Sequence, residues 1–194
     1  MIGPAGTPRS RPGAAGADER GGMDYLGPEF LTWLWWRARV EPEFRHADGT
    51  PLYVHVDEYM ELRGERAAAR KTVLRSGMPA ASAEGKVALR HGKVVTAARL
   101  LFARGEEEIA LTLRAEDLDV SAARLPAPEG DTALDRLSAA LASVRRLYED
   151  LDLCFSTFLL DRCSDRWERS ATAIRAWAAS PSEEESSFGI ARSD

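Results

Sequence analysis

The chain has 194 residues, of which 44% are hydrophobic and 29% are charged, and its formal net charge is −5. This composition excludes a collagen-like chain, a fully disordered chain and a small disulfide scaffold, since apolar residues are plentiful and there are two cysteines. The longest apolar stretch, residues 30–36, is much shorter than the about 20 residues that a membrane-spanning helix needs. Because the first residues lack the apolar core of a signal peptide, we expect a cytoplasmic protein that does not contact a membrane.

Composition divides the chain into a central domain and two tails. Residues 1–22 are rich in Gly, Pro, Ala and Arg and nearly devoid of large apolar side chains, so we expect this segment to be disordered. Residues 181–194 contain three consecutive glutamates and little apolar content, which indicates an acidic disordered tail. We therefore predict one folded domain over residues 23–180.

The first half of this domain is predicted to contain a helix, strands and a second, short helix. Apolar residues at helical spacing follow Pro28, and the helix should stop before Pro42. Alternation of apolar and polar residues predicts a strand over residues 52–62. Residues 67–74 favour a partner strand, although their Ala and Arg content also suits a helix. A short helix is predicted over residues 82–91, ending at Gly92.

The second half is predicted to be a hairpin followed by helix. Strands over residues 94–103 and 107–114 flank a Gly-containing turn, and a further extended segment covers residues 118–125. Residues 132–178 are helical by periodicity, with Asp131 as N-cap and a bend near Asp152 or Ser164. One apolar stripe recurs along this helix at Leu134, Leu137, Leu141, Val144, Leu147 and Leu151. The fold class that we predict is α+β, an antiparallel sheet with packed helices and a long C-terminal helical segment.

Three apolar features have more than one interpretation. The Trp33, Trp35 and Trp36 cluster should place one or two rings in the core, although an exposed ring could stack on an unpaired base. Residues 153–160 are apolar nearly all round, which favours deep burial or an oligomer contact. Cys154 and Cys163 fall on opposite faces of the predicted helix, so we interpret them as two small buried residues rather than a disulfide.

No motif of an enzyme is present in the sequence. The three histidines are scattered and there is no Cys-x-x-Cys pair, so no metal site is predicted. Gly92-Lys93 is not a phosphate-binding loop, because Val87 occupies the position of the required first glycine and Val94 follows the lysine. We therefore expect a protein that is not an enzyme and that holds no cofactor.

The segment from residue 63 to residue 104 is strongly basic. It contains ten Lys and Arg residues and two glutamates, a net charge of +8 within an acidic chain. A surface that serves solubility alone usually mixes both signs, whereas a run of cations suits contacts with the phosphates of nucleic acid. Nothing in the segment resembles a base-reading helix, so no sequence specificity is predicted.

The motif Gly92-Lys93-Val94-Val95-Thr96, with the strands at 97–102 and 109–113, resembles the recombination-associated RdgC family of bacteria. The aromatic segment 26–36 and the helical segment from 151 to 174 are also similar, so the resemblance covers separated patches between residues 26 and 178 and matches the C-terminal portion of the family. It implies a non-enzymatic, nucleoid-associated protein that binds double- and single-stranded DNA with little sequence preference. It also implies a ring-like homodimer with a basic inner surface that limits the action of RecA. By position, Lys93, Thr96 and Arg99 lie on the matched motif.

We therefore predict a DNA-binding protein that modulates recombination and contacts the phosphates of DNA through Lys and Arg side chains. The residues predicted to contact DNA are Arg63, Arg66, Arg70, Lys71, Arg75, Lys86, Arg90, Lys93, Thr96 and Arg99. The expected partners are DNA, a second copy of the chain and a RecA-type recombinase. The alternative hypothesis is a protein–protein interaction module that acts through residues 153–160 and the Trp-rich helix, without binding nucleic acid.

Overall fold

The structure of the protein is a computed structural model that describes residues 26–64, 71–75 and 82–181. The predicted tail at 1–22, nearly all of the tail at 181–194, and residues 67–70 of the predicted strand lie outside the described residues. The helices are α1 (Leu26–Val40), α2 (Ala83–Arg90), α3 (Ala133–Arg162) and α4 (Trp167–Ala179). The strands are β1 (Glu43–Arg45), β2 (Pro51–Gly64), β3 (Thr72–Arg75), β4 (Lys93–Arg104), β5 (Glu107–Arg114) and β6 (Val120–Arg124).

The six strands form one antiparallel sheet in the order β1-β2-β4-β5-β6, with β3 also paired to β2. The β4–β5 hairpin is in the predicted place, and Gly105 takes a positive φ of 64° in its turn. β1 was not predicted, because three residues are too few to show an alternating pattern. The predicted α+β class, with an antiparallel sheet and packed helices, is confirmed.

The helices cover one face of the sheet and share one hydrophobic core with it. Alternate residues of the central strands point into this core, as the alternation in β2 predicts. Trp33 and Trp35 are 2% and 0% exposed, so the prediction that the aromatic helix faces the core is confirmed. The indole Nε1 of Trp33 donates a hydrogen bond to Asp161 Oδ2 at 3.1 Å, which ties α1 to the end of α3.

The C-terminal helical segment divides into α3 and α4 at residues 163–166, so the bend lies at Ser164 rather than Asp152. The prediction of Asp131 as N-cap is wrong, because Thr132 caps α3. The Thr132 hydroxyl accepts from the Asp135 backbone N–H at 3.1 Å, while the Asp135 carboxylate accepts from the Thr132 backbone N–H at 3.0 Å. This reciprocal pair satisfies two backbone donors, which an aspartate one residue earlier does not achieve.

The side of α3 that faces the core differs from the predicted stripe. The buried positions are Ser143, Leu147, Asp150, Cys154 and Phe158. Two of them are polar and therefore invisible to a hydrophobic pattern, but both are satisfied: the Ser143 hydroxyl donates to the Ala139 carbonyl at 3.2 Å, and Asp150 accepts from His46 and Arg104. Much of the predicted stripe is exposed as a result.

The apolar segment 153–160 and the cysteines are only partly buried. Cys154 and Phe158 are fully buried, whereas Leu160 is 72% exposed, so the segment is not buried all round, and the alternative of an oligomer contact stays a prediction. Cys154 behaves as predicted, but Cys163 is exposed because it forms the C-cap where α3 ends. Neither cysteine forms a disulfide.

Candidate nucleic-acid interface

The face of the sheet opposite the four helices carries arginines from several strands, and we call it the arginine face. Side chains on this face are those that alternate with the core residues of each strand. Its arginines are Arg63, Arg75, Arg99, Arg114 and Arg124. The first three were predicted to contact DNA, and the strand register now places them beside two arginines from outside the basic segment.

The register sets the neighbours of these arginines across the strands. Arg99 on β4 lies between Asp57 on β2 and Thr112 on β5. Arg114 is opposite Ala97, which in turn is opposite Glu61. Because directly opposed side chains in antiparallel strands lie about 5 Å apart, the arginines and the carboxylates alternate across this face rather than forming a purely basic groove.

Glu61 is the centre of one end of the arginine face. Its carboxylate is 8% exposed, lies 2.7 Å from Arg63 Nε and 2.6 Å from Lys71 Nζ, and accepts the Tyr59 hydroxyl at 2.8 Å. Burial opposes ionisation of Glu61, but the hydrogen bonds from Lys71, Tyr59 and Arg63 outweigh burial and hold its pKa below the usual value. Arg63 and Lys71, both predicted to contact DNA, therefore share the carboxylate of Glu61, which lies two residues before the basic segment begins.

Arg75 and Arg114 lie near the phenol of Tyr59 at the same end. The Arg75 guanidinium is 5.8 Å from the centroid of the Tyr59 ring, in a cation–π arrangement. Burial, with the hydrogen bond to Glu61, raises the pKa of Tyr59, although both arginines act in the opposite direction. The phenol therefore stays neutral and serves as a donor to Glu61.

A cleft of about 290 Å³ opens at the same end of the arginine face. Its lining includes Arg63, Arg114, Glu61, Thr96 and Glu116. The hydroxyl of Thr96 donates to the Glu61 carbonyl at 3.4 Å, so this predicted contact residue supports the β2–β4 bulge. Two guanidinium groups at one cleft can hold one phosphate, although the carboxylates beside them lower the local positive potential.

Three predicted cations, Lys86, Arg90 and Lys93, lie on the helix side of the sheet, which overturns the expectation that the basic segment forms one face. Arg90 and Lys93 line a cleft of about 460 Å³ together with Arg175 of α4. The Lys93 ammonium donates to the Thr72 hydroxyl at 2.8 Å. Lys93 and Arg99 are six residues apart in β4, and in a regular strand their side chains would share a face. The bulge between them shifts the alternation by one residue, so the two side chains lie on different sides of the sheet.

Lys86 is buried, and the prediction that it contacts DNA does not fit its position. Its ammonium donates to the Ser180 hydroxyl at 3.0 Å and to the Pro181 carbonyl at 3.3 Å, and lies 5.1 Å from the centroid of the Trp177 ring. These contacts hold the end of α4 against α2. Helical periodicity puts residue 86 on the core side of α2, a signal that the count of charges ignored.

Arg66 and Arg70 lie outside the described residues, so their contact with DNA stays a prediction. Arg114, Arg124 and Arg175 were not predicted, because they lie outside the continuous basic segment 63–104. The signal that could have found Arg114 is strand periodicity: it follows Leu111 and Leu113 in β5 and falls on the opposite face.

Comparisons with known proteins add no family to these observations. Models of known protein families give no match to the chain, and curated proteins give no significant match. Within residues 26–64, 71–75 and 82–181, no three His, Cys, Asp or Glu side chains come together as metal ligands, and no helix is long and apolar enough to cross a membrane. The chemistry of the arginine face is therefore the basis for assigning a function.

Proposed function

We propose that this protein binds DNA without sequence preference, through contacts between the phosphates and the arginine face. The observation that carries the proposal is the convergence of five arginines from five strands on the sheet face opposite the helices. Guanidinium groups contact phosphate oxygens with two parallel hydrogen bonds, and each such contact releases counterions from the nucleic acid.

The shape of this face supports backbone contacts rather than base reading. The side chains extend from a sheet, and none of the described helices lies on this side to enter a major groove. Tyr53 is 40% exposed and His55 is exposed on the same face, so unpaired bases could stack there. Both duplex and single-stranded DNA are therefore suitable ligands.

The carboxylates on the arginine face set the expected strength. Asp57, Glu61 and Glu108 lie among the arginines and repel phosphates, so the affinity should be moderate and should depend steeply on salt. This arrangement also keeps the free protein from presenting a strong positive field.

The experiment compares a triple variant of the arginine face with a matched triple variant of the helix layer. Arg63, Arg99 and Arg114 are replaced by Ala in the first; exposed Arg136, Arg145 and Arg169 are replaced by Ala in the second, which removes the same charge. Binding of a fluorescent duplex of mixed sequence is followed by anisotropy from about 50 mM to about 1 M salt.

Each lost phosphate contact should reduce the slope of log K against log salt by about 0.9, so three contacts account for about 2.7 in slope and about 500-fold in affinity over a tenfold change in salt. The helix-layer variant should keep the wild-type slope. The proposal is wrong if the wild-type protein does not bind at low salt, if its slope is flat, or if the two variants lose affinity equally.

A role in recombination at the nucleoid, in which the protein limits a RecA-type recombinase, is proposed from the RdgC resemblance alone.

The alternative of a protein–protein module that uses the Trp-rich helix loses support, since Trp33 and Trp35 are buried. Its other element, residues 153–160, exposes mainly Leu160. A separate surface on α3 has stronger features of a protein contact.

A further inference from the structure

The first half of α3 presents an apolar face to solvent, which we call the α3 stripe. It consists of Leu134, Leu137, Leu141, Val144 and Tyr148, which are 71, 55, 61, 37 and 57% exposed. Their steps of three and four residues are those of the a and d positions of a heptad, the pattern by which one helix packs along another. Leu151 continues the series and is half-buried.

Two contacts on the neighbouring side of α3 hold the stripe outward. Asp150 accepts hydrogen bonds from His46 Nε2 at 2.8 Å and from Arg104 Nη1 at 3.3 Å. Arg146 forms an ion pair with Glu107 of β5. Since these contacts fix the rotation of α3 about its axis, the stripe cannot turn toward the sheet without breaking them.

We propose that the α3 stripe is a self-contact in which α3 of one copy of this chain packs antiparallel on α3 of a second copy. A two-fold axis near residues 142 and 143 matches every a position to a d position. Leu141 then faces Val144 of the second copy, Leu137 faces Tyr148, and Leu134 faces Leu151. This pairing is isologous and closes after two copies.

An apolar cleft at the end of the stripe supports the antiparallel orientation. Tyr148 and Leu151 line this cleft of about 250 Å³ with Phe155, Leu118 and Val120. In the antiparallel pair the strongly exposed Leu134 of the second copy arrives at this cleft and fills it. In a parallel pair Leu134 meets its own equivalent, and both clefts stay empty.

The area of the stripe is sufficient for a dimer of modest stability. The exposed parts of the five side chains amount to on the order of 500 Å² per copy, so the pair buries about 1,000 Å², at the lower limit for a specific interface. Ser138 and Ala140 beside the stripe are small, which lets the two helices approach closely. We therefore expect a dimer that dissociates on dilution.

Sedimentation velocity over a range of concentrations, from about 1 µM to about 200 µM, tests the contact. The double variant Leu137→Glu, Leu141→Glu should be a monomer throughout. Leu160→Glu is the matched control, because Leu160 is on the same helix, is 72% exposed and lies away from the stripe; it should dimerise as the wild type does. A monomeric wild type, or a double variant that still dimerises, overturns the proposal.

The native cysteines allow an orientation test on the unmutated chain. Burial raises the pKa of Cys154, which stays protonated and shielded, so a spin label attaches to the exposed Cys163. Twenty residues of helix on each side of the axis place the two labels about 60 Å apart in an antiparallel dimer. A distance below about 25 Å, as in a parallel pair, or no dipolar signal at all, contradicts the antiparallel self-contact.

The dimer does not depend on the proposed DNA binding. The stripe is in the helix layer, whereas Arg63, Arg99 and Arg114 are on the opposite side of the sheet. Sedimentation without nucleic acid therefore reports on the stripe even if the arginine face binds nothing.

Discussion

Replacing Asp150 by Ala removes the carboxylate that ties the middle of α3 to the sheet. Asp150 is 1% exposed, and its two partners, His46 and Arg104, have 15% and 23% of their side chains exposed. Burial raises the pKa of Asp150, and the hydrogen bond from His46 and the charge of Arg104 act against that rise. Burial therefore favours the neutral form of Asp150, whereas its contacts with His46 and Arg104 favour the ionised form.

The substitution should lower the free energy of unfolding by about 3 kcal/mol, since it leaves the partly buried Arg104 guanidinium and the His46 ring without their shared acceptor. With a urea dependence of about 2 kcal/mol/M, the midpoint should fall by about 1.5 M. Asp150→Asn keeps an oxygen acceptor and should cost less than Asp150→Ala. Urea unfolding followed by tryptophan fluorescence measures all three proteins, because Trp33 and Trp35 lie in the core.

Glu149→Ala is the matched control on the same helix. Glu149 pairs with Arg145 four residues earlier at 2.8 Å, but the two side chains are 45% and 83% exposed. An exposed pair of this kind contributes less than about 1 kcal/mol, so Glu149→Ala should leave the midpoint nearly unchanged. The reasoning is refuted if Asp150→Ala costs less than about 1 kcal/mol, or if the two variants cost the same.

Two further substitutions test the packing of α1 and the charge balance of the arginine face. Gly27→Ala should destabilise the protein by more than about 2 kcal/mol, measured by urea unfolding, because the added Cβ would lie 1.8 Å from the Ala115 carbonyl oxygen; an unchanged midpoint would show that the chain segments do not approach this closely. The lowered pKa of Glu61 stabilises the fold above the ordinary carboxyl pKa of 4.5, and this stability is lost as the pH falls through the lower folded value. Glu61→Gln should therefore lose less stability than the wild type between pH 5 and pH 3, and equal losses would contradict the assignment.

Strand and helix positions were largely predictable from the sequence, because apolar periodicity reports directly on which residues face the core. β2, β4, β5 and α2 lie within two residues of their predicted ends. What could not be predicted is the rotation of α3. A hydrophobic count favours Leu134, Leu137 and Leu141 as the buried side, whereas the helix buries Ser143 and Asp150, whose polar groups find partners in the Ala139 carbonyl and in His46 of a segment far away in sequence.

The residues predicted to contact DNA lie on different surfaces of the protein for a related reason. Charge counting treats residues 63–104 as a single segment, but the segment passes through β2, β3, α2 and β4, and each element sends its side chains to two sides. Arg63, Arg75 and Arg99 come together, Arg90 and Lys93 emerge on the helix side, and Lys86 is buried. Tertiary register, which a single sequence does not contain, decides which cations share a surface.

The two proposed surfaces have a physical relation that neither shows alone. An antiparallel α3 pair joins the helix layers, so each copy keeps its arginine face free and the two faces point away from the axis. Two such faces on one particle raise the effective concentration of the second when the first is bound, provided that one DNA molecule can reach both. Because each face carries three carboxylates among its five arginines, a single copy should bind weakly. Dimerisation through the α3 stripe would then raise the affinity for DNA by multivalency and offset the weakening caused by the carboxylates.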